Sequence, residues 1–434
     1  MEKIMNRDVI YFDNAATSWP KPPQTIAAMQ NYMQNIGGSP GRSGHRLSIE
    51  AARIVFDARE KLAQLFNVPD PLQIVLTRNA TEGLNIAVFG FLKPGDHVIT
   101  SGMEHNSVMR PLRAMEARGV GITVVPCDSD GLIDPGDVVK AIRKNTKAIF
   151  ITNASNVTGT VMPVSDIGRL AREHGLVLCV DAAQTAGCFP IDVAEMNIDL
   201  LAFTGHKALF GPSGTGGLYI REGLEKGIEP ICVGGTGSRS EVETQPDFMP
   251  DRFEAGTPNT VGIAGLRAGV EFVLAQGVAQ IKSREEKLVR MFIEGVSDLP
   301  GIILYGRKSV DRRTPAVSFN IDGMDPAAVA LELDEQFGVM SRSGLHCAPA
   351  AHKTIGTYPM GTVRFSFSFF NTEEQIIKSI EALKKEVADM ADLALSNLKS
   401  GLDAFKNTDF DLAKAVIIKD EEVDRFEEEI AKQA

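Results

Sequence analysis

The chain has 434 residues, a net charge of −11 and an ordinary globular composition, with 44% hydrophobic and 23% charged residues. That length allows two or three domains around sizeable cores, and an acidic balance with no basic cluster argues against a nucleic-acid partner. No apolar run reaches membrane-spanning length, residues 1–8 hold no signal-peptide core, and the five cysteines are scattered without a CxxC pair. The expectation is therefore a cytoplasmic protein with no membrane partner, no disulfide framework and no metal site.

Residues 9–17 read as a short apolar strand running into an Asp-Asn turn, and Trp19-Pro20 with Pro22-Pro23 argues against an immediate helix. Residues 37–45 are too rich in Gly, Ser and Pro for a regular element. Arg42 and His45 there read either as solvated loop residues or as a ligand-facing rim. Apolar side chains at helical spacing predict an amphipathic helix over 48–66, followed by a strand over 73–77. Asn79, with Glu82 three residues on, forms a capping-box pattern that starts a helix directly after that strand. Free amides at such a start attract phosphate.

Strands over 97–100, 121–126, 147–152 and 176–180 then alternate with helices over 106–118, 135–143 and 164–174. This alternation predicts an α/β fold whose mostly parallel sheet is covered by helices on both faces. The strand ends carry Glu104-His105-Asn106, Ser155-Asn156, Asp181 with Gln184, and Thr204-Gly205-His206-Lys207, so polar residues gather along one edge as a binding crevice requires. Asp181 and Lys207, an acid and an amine at neighbouring strand ends, fit a buried salt bridge. They equally fit the two fixed points of a pyridoxal phosphate site, the acid at the ring nitrogen and the amine at the aldehyde.

Beyond residue 220 lies a loop-rich stretch, and helical periodicity resumes over 261–296. A second, smaller α+β domain follows, with strands over 302–305, 316–321 and 363–367 and a helix over 326–337. Cys347 stands in its Gly/Pro-bounded turn beside Arg342 and His346, where neighbouring positive charge favours a thiolate. Cys127, Cys179, Cys188 and Cys232 lie in or beside apolar runs and read as inert packing. A long helix over 373–399, a turn at 406–409 and a further helix over 410–432 with an acidic end predict a helical hairpin.

Taken together, these motifs over residues 9–388 resemble the class V aminotransferase family of fold-type I pyridoxal phosphate enzymes. Within it they are most similar to the cysteine desulfurase and selenocysteine lyase branch, in its group II, SUF-type form with a short cysteine loop. The resemblance implies pyridoxal 5'-phosphate as cofactor, held by Ala80, Thr81, Thr204 and His206 at its phosphate, by Asp181 at the ring nitrogen, and by Asn156 and Gln184 near the ring hydroxyl. It makes His105 the ring-stacking residue and Lys207 the covalent anchor and proton carrier. Thr257 would reach the phosphate of a neighbouring subunit and His45 would line the shared site, which implies a homodimer. Arg364 would bind the substrate carboxylate, with Arg342 and Asn156 nearby. Cys347 would take sulfur from L-cysteine as a persulfide, leaving L-alanine, for delivery to a sulfur-acceptor protein and iron–sulfur cluster or related biosynthesis. L-Selenocysteine is the alternative substrate, and another lyase, epimerase or aminotransferase of the family the alternative activity. Ser343 and Leu345 depart from the family's usual loop residues.

The implied organisation is an N-terminal segment, 1–20, joining the small domain, a large cofactor-binding domain, 21–265, a small domain with the cysteine, 266–390, and a hairpin extension, 391–434. The extension is faintly similar to the PhoU-like helical bundles, in which Asp420 and Asp424 would be a metal-binding pair. An interaction module is the non-enzymatic reading of that extension.

Overall fold

The computed structural model describes residues 9–41 and 43–407. Arg42, the helix expected over 410–432 and the Asp420–Asp424 pair lie outside the described residues. In chain order the elements are β1 (Ile10–Tyr11), α1 (Pro23–Asn31), α2 (Arg46–Phe66), β2 (Ile74–Thr77), α3 (Ala80–Phe91), β3 (His97–Ser101), α4 (Asn106–Glu116), β4 (Gly121–Val125), α5 (Pro135–Lys140), β5 (Thr146–Thr152), α6 (Val164–Glu173), β6 (Val177–Asp181), β7 (Leu200–Thr204) and β8 (Gly216–Ile220). They continue as α7 (Thr260–Gln276), α8 (Val278–Val296), β9 (Ile302–Tyr305), β10 (Ala316–Ile321), α9 (Pro326–Phe337), β11 (Val339–Met340), α10 (Pro349–Thr354), β12 (Val363–Ser366) and α11 (Glu373–Asn407).

Seven strands form the main sheet in the order β2-β8-β7-β6-β5-β3-β4, and only β8 runs antiparallel to its neighbours. The strands are apolar on both faces because both are covered. Leu178 and Val180 of β6 join α2, α5, α6 and α7 in one core, while Cys179 between them joins α3 and α4 in another. That period of two across a doubly covered sheet explains the continuous apolar runs in the sequence.

A third core lies around the antiparallel sheet β12-β10-β9, packed against α8, α9 and the first part of α11. Ile10 and Phe12 belong to this core, although they begin the described chain. β1 pairs in parallel with β11, joining residues more than three hundred positions apart.

Several expectations change. Pro23 starts α1 rather than delaying it, because a helix tolerates proline in its first turn, where the missing amide has no partner to lose. The periodic stretch over 261–296 is two helices bent by 81° at Gly277, whose positive φ of 81° ends the first. α11 passes through Gly401 to Asn407, eight residues beyond the expected end at 399. Among the described residues no single helix is long and apolar enough to cross a membrane, and no cluster of His, Cys, Asp and Glu could hold a metal ion.

Candidate active site

The carboxyl ends of β5, β6 and β7, the start of α3, the turn after β11 and β12 itself enclose a cleft of about 280 Å³. Its walls carry Ala80, Thr81, His105, Asn156, Asp181, Gln184, Thr204, His206, Lys207, Arg342 and Arg364, so one pocket gathers the residues that the sequence scatters over almost three hundred positions. His45 and Thr257 are exposed and stand outside it in this chain, and His45 instead caps α2 by accepting the Ser48 amide at 3.2 Å.

At one end, Asn79 caps α3 by accepting the Glu82 amide at 2.9 Å, which turns the first helical amides, those of Ala80 and Thr81, toward the cleft. β8 reaches this turn only because Gly216 lacks a side chain, since a Cβ there would meet Asn79 Cα at 2.7 Å. Thr204 Oγ1 and His206 Nδ1, in the same wall, are buried without a hydrogen-bond partner. Buried polar atoms are rarely left so. A helix start with unpartnered donors beside it is chemically fitted to a phosphate.

At the other end, Asp181 is buried and accepts from the Ala183 amide at 2.9 Å and from Ser107 Oγ at 3.3 Å. It makes no ion pair with Lys207, so the plain salt-bridge reading fails. Burial raises its pKa, opposed by those hydrogen bonds and by the Lys207 charge. Lys207 opens onto the cleft but is walled by protein elsewhere, and that desolvation brings its amine down to about 8 despite Asp181. His105 is lowered to about 4 by burial and by Lys207, Arg342, Arg110 and Arg364, so its ring is neutral. Its Nδ1 meets Ser107 Oγ at 2.8 Å, which links His105 through Ser107 to Asp181. The sequence reading missed Ser107, although its place two residues after His105 at the start of α4 was a usable signal.

Glu104 lies beneath the site with no exposure, accepting from Ser101 Oγ at 2.6 Å and the Thr152 amide at 3.1 Å. Burial pushes its carboxyl up to about 8, far above an ordinary glutamate. Asn156 and Gln184 line the cleft with their amides already engaged, Asn156 Nδ2 on the His346 carbonyl at 2.7 Å and Gln184 Nε2 on the Ala15 carbonyl at 3.1 Å.

Cys347 stands at the rim, exposed, where an adjoining open groove shares Thr81, His105 and Ser107 with the cleft. Its turn is anchored by the Asn106 amide on the Cys347 carbonyl at 2.9 Å and by Asn156 on His346. His346 and Cys347 have φ of 48° and 58°, two successive non-glycine residues in left-handed backbone. Such strain persists only where the surroundings enforce it. Arg342 Nη2 is 3.5 Å from Cys347 Sγ and supplies the neighbouring positive charge. His346 does not, contrary to the sequence reading. Its ring is buried against Thr362, and desolvation drives its pKa well below the ordinary value. Of the other cysteines, burial pushes Cys127 up to about 12 and raises Cys179 and Cys188 well above the ordinary thiol value, as inert thiols behave. Cys232 is exposed, so its assignment to packing is corrected.

Residues 10–378 match the family model described as Aminotransferase class-V, and the chain belongs to that family. Residues 387–434 match the PhoU domain model, a stretch that begins inside α11 and ends outside the described residues. A probable cysteine desulfurase of Methanothermobacter thermautotrophicus is 37% identical over 88% of this chain and 96% of its own, and a cysteine desulfurase of Salmonella dublin is 32% identical over 88% and 95%. The apo structure of a cysteine desulfurase from Thermococcus onnurineus superposes with a TM-score of 0.82 at 34% identity, covering 89% of this chain and 98% of that one.

Proposed function

We propose that this chain is a pyridoxal phosphate-dependent cysteine desulfurase that converts L-cysteine to L-alanine and keeps the sulfur on Cys347 as a persulfide. The observation that carries the reading is the placement of Cys347 at the rim of a cleft that also holds Lys207, Asp181, His105 and Arg364. Fold alone selects no reaction within such a family.

The walls suit the cofactor at each end. The α3 amides with Thr204 and His206 would hold its phosphate, Asp181 its ring nitrogen, Asn156 and Gln184 the neighbourhood of its ring hydroxyl, and the neutral His105 ring would lie on its face. When bound it supplies the electron sink that lets the α-carbon of an amino acid lose a proton. Lys207 would be the residue that anchors the cofactor, and its Nζ, once free, would move the α-proton of the substrate; an amine brought down to about 8 is suited to that proton transfer. Arg364 holds the substrate carboxylate. Cys347 Sγ, as thiolate beside Arg342, attacks the substrate sulfur. A new S–S bond forms, the carbon–sulfur bond breaks, and the electron pair and a proton remain with the carbon skeleton that leaves as alanine.

The exposed positions of Thr257 and His45 support a homodimer that completes the site, as does the exposure of the apolar Ile26, Leu47, Ile49 and Phe56 on α1 and α2. The persulfide then passes to an acceptor protein.

The test is product analysis of cofactor-loaded enzyme given L-cysteine or L-selenocysteine, with and without reductant. Cys347→Ser should cut alanine formation from L-cysteine by at least roughly 100-fold while leaving the bound cofactor's visible absorption unchanged. Sulfide release by that variant at the parent rate would overturn the persulfide step.

A further inference from the structure

Among the described residues Arg364 is the largest fully buried side chain, 1% exposed, and a guanidinium so enclosed needs a counter-ion. Asp13 provides it, with Arg364 Nη2 donating to Asp13 Oδ1 at 2.7 Å. Nη1 donates to the Asn156 carbonyl at 2.9 Å, while Nε is buried and has no partner. Two of the three nitrogens are thus held by fixed groups from different parts of the chain, and Nε is left for a ligand in the cleft that Arg364 lines. A carboxylate taken in bidentate fashion needs two N–H groups in one plane, so the orientation of that plane decides how well it is gripped.

Asp13 is itself held at both sides. Its neighbours bind β12, with the Asn14 amide on the Ser366 carbonyl at 3.3 Å and the Ala15 amide on Ser366 Oγ at 2.8 Å. Its own carbonyl accepts from the Ala16 and Thr17 amides and from Tyr11 Oη. A few residues on, Ser18 Oγ donates to the Lys207 carbonyl at 2.8 Å, and the Ser18 amide and Lys21 Nζ both reach the His206 carbonyl, at 3.0 and 2.6 Å. The segment from Asp13 to Lys21 therefore fastens the backbone of Lys207 at one end and the guanidinium of Arg364 at the other.

The geometry points to Asp13 as the positioning residue that aims Arg364 at the carboxylate of the amino-acid substrate, and to its segment as the strap that sets Arg364 against Lys207. This rests on the reading of the site as one that takes L-cysteine by its carboxylate. The carboxylate of Asp13 partly offsets the attraction of Arg364 for that anion, so its service is orientation rather than charge. Cysteamine, with the same amine and thiol but no carboxylate, separates the two ends of the strap.

The test compares Asp13→Asn and Asp13→Ala with the parent, all cofactor-loaded, by steady-state kinetics with L-cysteine and by absorbance titration with cysteamine. For Asp13→Ala the KM for L-cysteine should rise roughly 10-fold or more, the effect of losing one charge-assisted hydrogen bond, and for Asp13→Asn, which keeps an acceptor oxygen but not the ionic strength of the bond, by roughly threefold, with kcat changed far less in both. Cysteamine affinity should stay within about twofold, and Asp13→Asn should have no further effect in an Arg364→Ala background. Asp13→Asn conserves shape, so it keeps the test open if Asp13→Ala fails to fold. Equal losses for cysteamine and L-cysteine, an unchanged KM, or additive effects with Arg364→Ala would overturn the assignment. A parent that releases no alanine from L-cysteine fells the proposed function and this inference together; an active parent with an insensitive Asp13 fells this inference alone.

Discussion

Lys207 and Cys347 stand at two sides of one cleft in opposite surroundings. Lys207 follows a wholly buried strand of a doubly covered sheet, beside the buried Asp181 and within the charge field of Arg364 and Arg342. Cys347 is exposed, on a strained turn of the smaller α+β region, and touches the larger one through the Asn106 and Asn156 contacts. The first environment is dry, so it changes proton affinities. The second is open, so it gives a nucleophile access to both the cleft and the solvent. The proposed reaction, which stores electrons at one side and passes sulfur out at the other, needs both environments.

Replacing Lys207 tests the dry side and should have the largest effect. Lys207→Ala is expected to lose at least roughly 1,000-fold in alanine formation, since in the proposed mechanism Lys207 is both the covalent anchor and the proton carrier. It should also show no cofactor mass increment after borohydride reduction, and a retained increment would assign the anchor elsewhere. On the open side, Arg342→Ala should slow alkylation of Cys347 by iodoacetamide roughly three- to tenfold at pH 7, measured by intact mass, because it removes the cation that stands 3.5 Å from the attacking sulfur. An unchanged rate would mean that the turn's exposure suffices.

The smallest effect concerns stability and the dry side alone. Glu104 titrates near 8 in the folded protein against 4.5 for an ordinary glutamate, so the folded state binds the proton that the unfolded chain has lost. Its contribution is intact below the lower value and falls as pH rises toward the higher one, by at most about 1.4 kcal/mol per pH unit. Glu104→Gln stays neutral and escapes that loss, so its unfolding midpoint relative to the parent should improve from pH 5 to pH 8. A constant difference would show that Glu104 is ionised in place.

Much of the larger region was legible because its signals are local. Apolar runs of strand length, the Asn79 cap and polar residues at successive strand ends each follow from neighbours in the chain, and together they placed Asp181 and Lys207 on one edge. The turn around Cys347 was legible in composition only. Nothing local distinguishes Arg342, which stays near the thiol, from His346, which the fold buries and neutralises. Asp13 was read as a turn residue, and its partner lies 351 positions away.

The sequence by itself determined the α/β alternation, the helix start suited to phosphate, the acid and amine at strand ends, and the separate thiol, because periodicity and capping act over a few residues. Only the tertiary structure decided that β1 pairs with β11, that Ser107 links His105 to Asp181, that Glu104 and His346 are desolvated, and that Asp13 holds Arg364. Desolvation and ion pairing depend on what is packed around a group, and for these groups the packing comes from distant parts of the chain.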